Sequence, residues 1–249
     1  MEVHLLGVVA YDDCLALQQR LVYETSGRID GQITLLLAEH RPIITVGRRG
    51  SWAHIGLDHD ALERRQLEVR WVNHGGGSMV HLPGQLAIYP IVPLAWHGWT
   101  VGEYLTRLHR GLSDTLTELA YTVQDRDGGT NGTPHQPQHG LWGRTGQLAA
   151  LSVAVKSSTT YHGAYLNVAP AMDLFRHIRT DIRTNSTGGS AMSSLAAERR
   201  VRIAMPRVRE GVIRHLTAAF DCPRYHIYSG HPLFLRERTP RAEAASHVG

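Results

Sequence analysis

His74-Gly75-Gly76-Gly77-Ser78-Met79-Val80-His81-Leu82-Pro83-Gly84-Gln85-Leu86, running on into Tyr89-Pro90-Ile91, is the stretch whose reading decides the fold. Adjacent glycines let main-chain amides approach a ligand closely and offer donors to a developing oxyanion, so Gly75, Gly76 and Gly77 are candidate substrate-binding positions. Gly75 and Gly76 are the expected oxyanion donors. A triple glycine taken alone suits a plain turn between two strands equally well. Pro83-Gly84-Gln85 close by favours a site, with Gln85 as a further binding position. A lone histidine such as His81 is more often a hydrogen-bonded structural group than a catalyst.

Working outward, short apolar runs and helical spacings alternate along the chain. Leu5 to Val9 and Ile33 to Leu37 read as strands, and Cys14, Leu15, Leu17, Leu21 and Val22 between them recur at helical spacing. Pro42 to Gly47 is a β-branched run, and Asp58 caps a short helix reaching to Gln66. Val69 and Trp71, then Leu86 to Val92, continue as strands on either side of the glycines. Thr100 is the N-cap of a longer helix whose face carries Val101, Tyr104, Leu105, Leu108, Leu112, Leu116 and Leu119. Residues 125–139 read as an exposed loop, and Leu148 to Val155 as an alternating strand. This order predicts an α/β (α+β) fold, a mixed sheet with helices packed on it.

The 249 residues suffice for one substantial core, expected over 1–235, with 236–249 as a flexible tail. Apolar residues make up 42% and charged ones 19%, which excludes extensive disorder. The net charge of +4 rests on 26 basic residues, of which Lys156 alone is lysine, and they are scattered rather than clustered. Nucleic acid is therefore not an expected partner, whereas an acidic carrier protein is. Cys14 and Cys222 are too few for a disulfide framework and lack metal-ligand spacing, so a cytoplasmic setting is expected. The N-terminal segment lacks an export signature and no run reaches membrane-span length, so no membrane association is expected. His135 and His139 have no acidic or cysteine partner at ligand spacing, so no metal is expected. No phosphate-cradling or dinucleotide glycine pattern is present, and no cofactor is expected.

Four blocks carry a resemblance to a known family. Glu39 to Gly50, the His74 to Leu86 block with Tyr89-Pro90-Ile91, Gly140-Leu141-Trp142, and Tyr161 to Val168 with Asp173-Leu174 are similar, in order and spacing, to the octanoyl-carrier-protein:protein octanoyltransferases. These share a biotin/lipoate protein ligase-like catalytic domain. The resemblance spans roughly residues 1–220 and implies acyl transfer, with His81 at the family's active-site histidine and His162 at the Tyr-His-Gly block. It also implies departures. The family's lysine falls on Gln147, its cysteine falls on Asn185, its motif arginine is His74, and the glycine after its histidine is Leu82. The family's thioester intermediate has no thiol to form on, and Leu82 is expected to narrow the pocket. The ligases' adenylate-binding lysine has no counterpart, so the acyl donor is expected to arrive already activated.

Three readings of the departures stand side by side. In one, Ser186 or Thr187 replaces the cysteine, within a loop that also supplies Asn185 and Gly188 as binding positions; a hydroxyl then needs a histidine base. Serines in such segments are far more often turn residues. In the second, the favoured one, acyl passes directly from a thioester donor, an acyl carrier protein or coenzyme A, to a small-molecule or carrier-bound amine or hydroxyl. His81 or His74 serves as general base, and Gln147 and His162 line the site. In the third, the chain binds acyl groups or carrier proteins without turning them over. A specialised rather than a housekeeping pathway is the expected setting.

Overall fold

Both faces of the strand Thr34–His40 are buried: Leu35 and Leu37 turn to one side, Leu36 and Ala38 to the other. A strand apolar on both faces belongs in the middle of a sheet covered twice, and that is its place here. The computed structural model describes residues 1–124, 140–180, 192–201 and 203–237. Its elements are β1 (Glu2–Val9), α1 (Tyr11–Ser26), β2 (Thr34–His40), β3 (Ile43–Val46), α2 (His59–Arg64), β4 (Glu68–Trp71), β5 (Ser78–His81) and β6 (Gln85–Ile91). There follow α3 (Leu94–His97), α4 (Val101–Glu118), β7 (Leu141–Trp142), β8 (Gln147–Lys156), β9 (Thr159–Asn167), α5 (Leu195–Arg199), α6 (Met205–Ala219), β10 (His226–Ser229) and α7 (Pro232–Glu237). Two 3-10 turns, Trp52–His54 and Leu174–His177, complete the described elements.

Seven strands form one mixed sheet in the order β10-β1-β2-β6-β9-β8-β7. β1 is parallel to both β2 and β10, and the pairs from β2 through β8 to β7 are antiparallel. One face carries Leu35, Leu37, Leu86, Ile88 and Leu166 against Leu108, Leu112 and Leu116 of α4 and Val208, Val212 and Leu216 of α6. The opposite face carries Leu36, Tyr89, Tyr165 and Ala150 against Cys14, Leu17 and Leu21 of α1. Thr100 caps α4 as its position predicts: Oγ1 accepts from the Glu103 amide at 3.2 Å, and the Glu103 carboxylate accepts from the Thr100 amide at 2.7 Å. Asp58 likewise caps α2, accepting from the Ala61 amide at 2.7 Å.

The chain leaves this sheet between His40 and Ile43 and returns between His81 and Gln85, two short crossings that bracket a second sheet of three strands, β4-β3-β5. Ile44, Val46, Val80 and Leu82 fill the far side of that small sheet with Leu57, Leu62 and Phe175. Pairing of Thr45 with Met79 and of Ile43 with His81 puts these four residues on the side turned toward the large sheet. Leu82 thus packs in the outer cluster, not at the pocket it was expected to narrow. Helix α7 runs to Glu237, two residues into the expected tail, and residues 238–249 lie outside those described. No helix among the described residues is long and apolar enough to cross a membrane.

Candidate active site

β7 is only two residues long, so it covers only the start of β8, and the edge of β8 beyond Ala149 faces the glycine segment rather than another strand. Gly75 closes this gap by donating its N–H to the Val153 carbonyl at 3.1 Å. On its other side the segment is laced to the turn after β3. Gly47, Arg48 and Arg49 donate their amides to the carbonyls of Gly77, His74 and Gly76, each at 3.0 Å. Gly76 takes φ +92°, a conformation that side chains resist, and a Cβ on Gly47 would sit 2.5 Å from His74 Nδ1. The close approach of the two turns therefore depends on glycine at both positions.

A cavity of about 520 Å³ opens at this junction, a size suited to a small organic ligand. Its wall includes Arg48, Arg49, His74, Gly75, Gly76, Gly77, Met79, Trp142, Gln147, Ala150 and Ser152. Among the described residues the charged groups on the wall are the guanidinium side chains of Arg48 and Arg49, and no carboxylate lines it. Among the described residues the amides of Gly76 and Gly77 have no acceptor, whereas that of Gly75 is committed to Val153. Of the expected pair, Gly76 therefore keeps an amide without an acceptor among the described residues, as does Gly77.

Beneath the wall runs a chain of buried polar groups. Asn167 Nδ2 donates to the Ser193 carbonyl at 2.9 Å, leaving Asn167 Oδ1 to accept from Gln85 Nε2 at 2.9 Å. Gln85 Oε1 then faces His81 Nδ1 at 2.9 Å. His81 Nε2 lies 2.9 Å from Thr45 Oγ1, which is also 3.1 Å from His74 Nε2. At the far end His74 Nδ1 lies 2.7 Å from Ser152 Oγ and 2.8 Å from the Gly75 carbonyl. Burial pushes the pKa of His74 down to about 4, against a pull upward from the Gly75 carbonyl and with a further push down from Arg48. Burial holds His81 well below the ordinary histidine range, and neighbouring His40 adds to the shift.

Of the positions singled out from sequence, Gly75, Gly76, Gly77, His74 and Gln147 come together on the cavity wall. His81 does not. Thr45 and His74 stand between it and the cavity, and its ring lies between Tyr11, at 5.2 Å, and Tyr165, at 4.5 Å. Gln85 is buried beside it and holds it through Nδ1. His162 is also buried; its ring sits edge-on to His74 at 5.4 Å, and neither ring nitrogen has a partner among the described residues. Its backbone has φ +56°, and its amide donates to Gln18 Oε1 at 2.7 Å. Burial lowers its pKa to about 3. Asn185, Ser186, Thr187 and Gly188 lie outside the described residues, as do His135 and His139. The segment after them is anchored at the site, since Ser193 donates its amide to the Gln147 carbonyl at 2.8 Å and Met192 bridges to Gln147. Thr45, Ser152 and Asn167 are site residues that sequence reasoning missed. Ser152 alone could have been suspected, as the polar member of the small-residue alternation Ala150, Ser152, Ala154.

Residues 10–217 match the lipoyl protein ligase A/B catalytic domain. The octanoyltransferase of Roseiflexus sp. (strain RS-1) is 33% identical over 226 residues, covering 89% of this chain and 88% of its own. That of Syntrophotalea carbinolica is 33% identical over 215 residues, covering 86% and 92%. Among solved structures, lipoate-protein ligase A bound with ATP superposes with a TM-score of 0.68 at 14% identity, covering 92% of this chain and 90% of that one. A bipartite lipoate protein ligase from Thermoplasma acidophilum, solved in a study with its E2 lipoyl domain, gives 0.67 at 12% identity, covering 92% and 86%. These last two share the fold. With the domain match covering most of its length and relatives at one-third identity, the chain is an acyltransferase of the octanoyltransferase and lipoate-ligase type and belongs to the lipoyl protein ligase A/B catalytic domain family.

Proposed function

We propose that the protein moves an acyl group from a thioester donor, borne on an acyl carrier protein or coenzyme A, to an amine or hydroxyl acceptor without a cysteine thioester intermediate. The observation that carries this reading is where the thiols lie. Cys14 is wholly buried between α1 and the large sheet, and burial pushes its thiol up to about 12; Cys222 follows α6, with its pKa also raised by burial. Neither lines the cavity, and Lys156 is exposed at the far end of β8, away from Gln147. A thiolate nucleophile needs a lowered pKa and a place at the site; both thiols are raised instead, and neither lines the cavity.

The cavity supports an acyl ligand with an anionic head. Met79, Ala150 and Leu151 give it an apolar wall, and Arg48 and Arg49 give it cationic groups. Such a division suits an acyl chain followed by the phosphate of a pantetheine arm. The carrier protein, a small-molecule or carrier-bound acceptor, the cytoplasmic setting suggested by two free cysteines, and a specialised pathway belong to the same proposal.

The test is single-turnover transfer from octanoyl-carrier-protein and from octanoyl-coenzyme A to a panel of amines and alcohols, for the natural chain and for Cys14→Ala/Cys222→Ala. Equal transfer by both forms is expected. Loss of transfer in the double variant at unchanged melting temperature would restore a cysteine mechanism, and inertness of the natural chain toward every thioester would leave a binding protein. Complementation of an octanoyltransferase-deficient strain is expected to fail.

A further inference from the structure

We propose that Ser152 is the acyl-accepting nucleophile, with His74 as its base and Thr45, His81 and Gln85 as positioning residues. This rests on the transferase reading above and supplies the covalent step it leaves open.

Read from its far end, the buried chain assigns the proton positions as far as the Nε2 of His74. The Ser193 carbonyl can only accept, so Asn167 presents Nδ2 to it and Oδ1 to Gln85. Gln85 Nε2 donates to Asn167 Oδ1 at 2.9 Å and to the Val80 carbonyl at 3.3 Å, which turns Gln85 Oε1 toward His81. An amide oxygen can only accept, so His81 carries its proton on Nδ1 and, being neutral, offers a bare Nε2. Thr45 has one hydroxyl proton, which goes to that nitrogen; its oxygen therefore accepts from His74, and the proton of His74 is on Nε2. In that tautomer His74 Nδ1 is a lone pair, 2.7 Å from Ser152 Oγ and 2.8 Å from the Gly75 carbonyl, so the one Ser152 hydroxyl proton lies between two acceptors. A serine hydroxyl against a histidine lone pair, with the other ring nitrogen held by an orienting group, is the arrangement that makes a serine nucleophilic.

The surroundings complete it. Ser152 and His74 both lie on the cavity wall with Gly76 and Gly77, whose amides are uncommitted among the described residues. In the resting state the Ser152 hydroxyl has a competing acceptor, the Gly75 carbonyl at 2.6 Å. That carbonyl becomes useful once His74 is charged, because Nδ1–H then points at it across 2.8 Å while Nε2–H stays on Thr45. Both protons of the imidazolium are thus accepted within the site.

In the first half-reaction Ser152 Oγ attacks the thioester carbonyl, its proton passing to His74 Nδ1. The tetrahedral oxyanion faces the glycine amides. Collapse breaks the carbon–sulfur bond, and the proton on His74 goes to the departing thiolate, leaving an acyl ester on Ser152. In the second, the acceptor amine or hydroxyl attacks that ester and gives its proton to His74 Nδ1; collapse breaks the bond to Oγ, which takes the proton back.

Two experiments together test this. The first uses an alkyl fluorophosphonate, which forms an oxygen–phosphorus bond to an activated serine with loss of fluoride and needs no natural donor. Peptide mapping is expected to place the label on Ser152, with labelling lost in Ser152→Ala and slowed about 10²-fold or more in His74→Ala. Thr45→Val is expected to slow labelling and Thr45→Ser to restore it, a pattern that a purely packing role for Thr45 would not give. The second is acid-quenched single turnover with octanoyl-coenzyme A, where the octanoyl adduct is expected on Ser152 as an ester, and on sulfur in Ser152→Cys. Label or adduct on Ser186 or Thr187 instead, or full transfer by Ser152→Ala, would overturn the assignment while leaving the transferase reading intact. Labelling of Ser152 with no transfer from any thioester would do the reverse, upholding the nucleophile and removing the donor class.

Discussion

Thr45→Val keeps the shape of a wholly buried side chain and removes the single hydroxyl that joins His74 to His81. Valine neither donates nor accepts, so His81 Nε2 loses its donor and His74 Nε2–H loses its acceptor. Both atoms stay in the interior, where each unpaired polar group costs about 1–3 kcal/mol, so the variant is expected to be destabilised by roughly 2–6 kcal/mol. Against a total of about 5–15 kcal/mol that is a large fraction, and for a chain of this length it corresponds to a fall in melting temperature of roughly 5–20 °C. Thr45→Ser, which keeps the hydroxyl and loses a methyl, is expected to cost only about 1 kcal/mol. Urea unfolding at pH 7.5, with the slope compared between variants, measures both. A valine variant within about 0.5 kcal/mol of the natural protein, or a serine variant as unstable as the valine one, would show that the hydroxyl does not bridge the two rings.

Three further outcomes are expected. His40 and His74 at about 4, His162 at about 3, and His81 well below the usual range are all lowered first by burial. The unfolded chain binds their protons near pH 6.5, so stability is fully present above about 6.5 and is lost as the pH falls toward 4, at about 1.4 kcal/mol per unit for each histidine; a urea midpoint that is flat from pH 7.5 to 5 would contradict this. Burial pushes the Glu198 carboxyl up, but hydrogen bonds from Thr145 and Arg144 outweigh it and hold the group ionised, so Glu198→Gln is expected to cost about 2–4 kcal/mol and to speed hydrogen exchange in the 143–146 turn, with unchanged exchange counting against it. Arg49→Glu replaces a cationic group of the cavity wall with a negative one, and is expected to raise KM for a carrier-protein thioester about tenfold or more with kcat nearly unchanged; a fall confined to kcat would count against an anionic ligand head there.

The elements that sequence reasoning reached are those with one strong periodic signal. β2, α1 and α4 each present an apolar set at strand or helix spacing, and Thr100 and Asp58 mark helix starts by chemistry local to the chain. It passed over α6 and β10. Val208, Val212, Ile213 and Leu216 do recur at helical spacing, yet β10 is an exposed edge strand with no buried residue to produce a pattern. The glycine segment was legible because glycine is demanded locally by φ and by close approach. The base was not. His81 matches a motif, but whether a histidine faces a cavity or lies under it depends on the side to which β5 turns, and that is set by the crossings at 40–43 and 81–85. Thr45 was invisible for the same reason: in Ile43-Ile44-Thr45-Val46 a β-branched residue reads as a strand former, and its bond to two histidines arises only when β3 and β5 pair.

The buried histidines also explain how a base as weak as His74 can serve. In the resting protein the rings below the cavity are neutral, and the charges on its wall among the described residues are the two arginines, so charging His74 alone costs both desolvation and repulsion from Arg48. The cost changes when the proton comes from an oxygen attacking a carbonyl. An oxyanion then appears at the glycine amides in the same instant, close to His74 and to Arg48, and in a low-dielectric pocket opposite charges a few ångströms apart attract strongly. The penalty that keeps His74 uncharged in the ground state is offset only in the tetrahedral state, and a difference of that kind, rather than basicity, is what lowers a barrier. The fixed direction of protons from Ser193 through Asn167, Gln85, His81 and Thr45 contributes in the same sense, because the lone pair is already aimed at Ser152 before any substrate arrives.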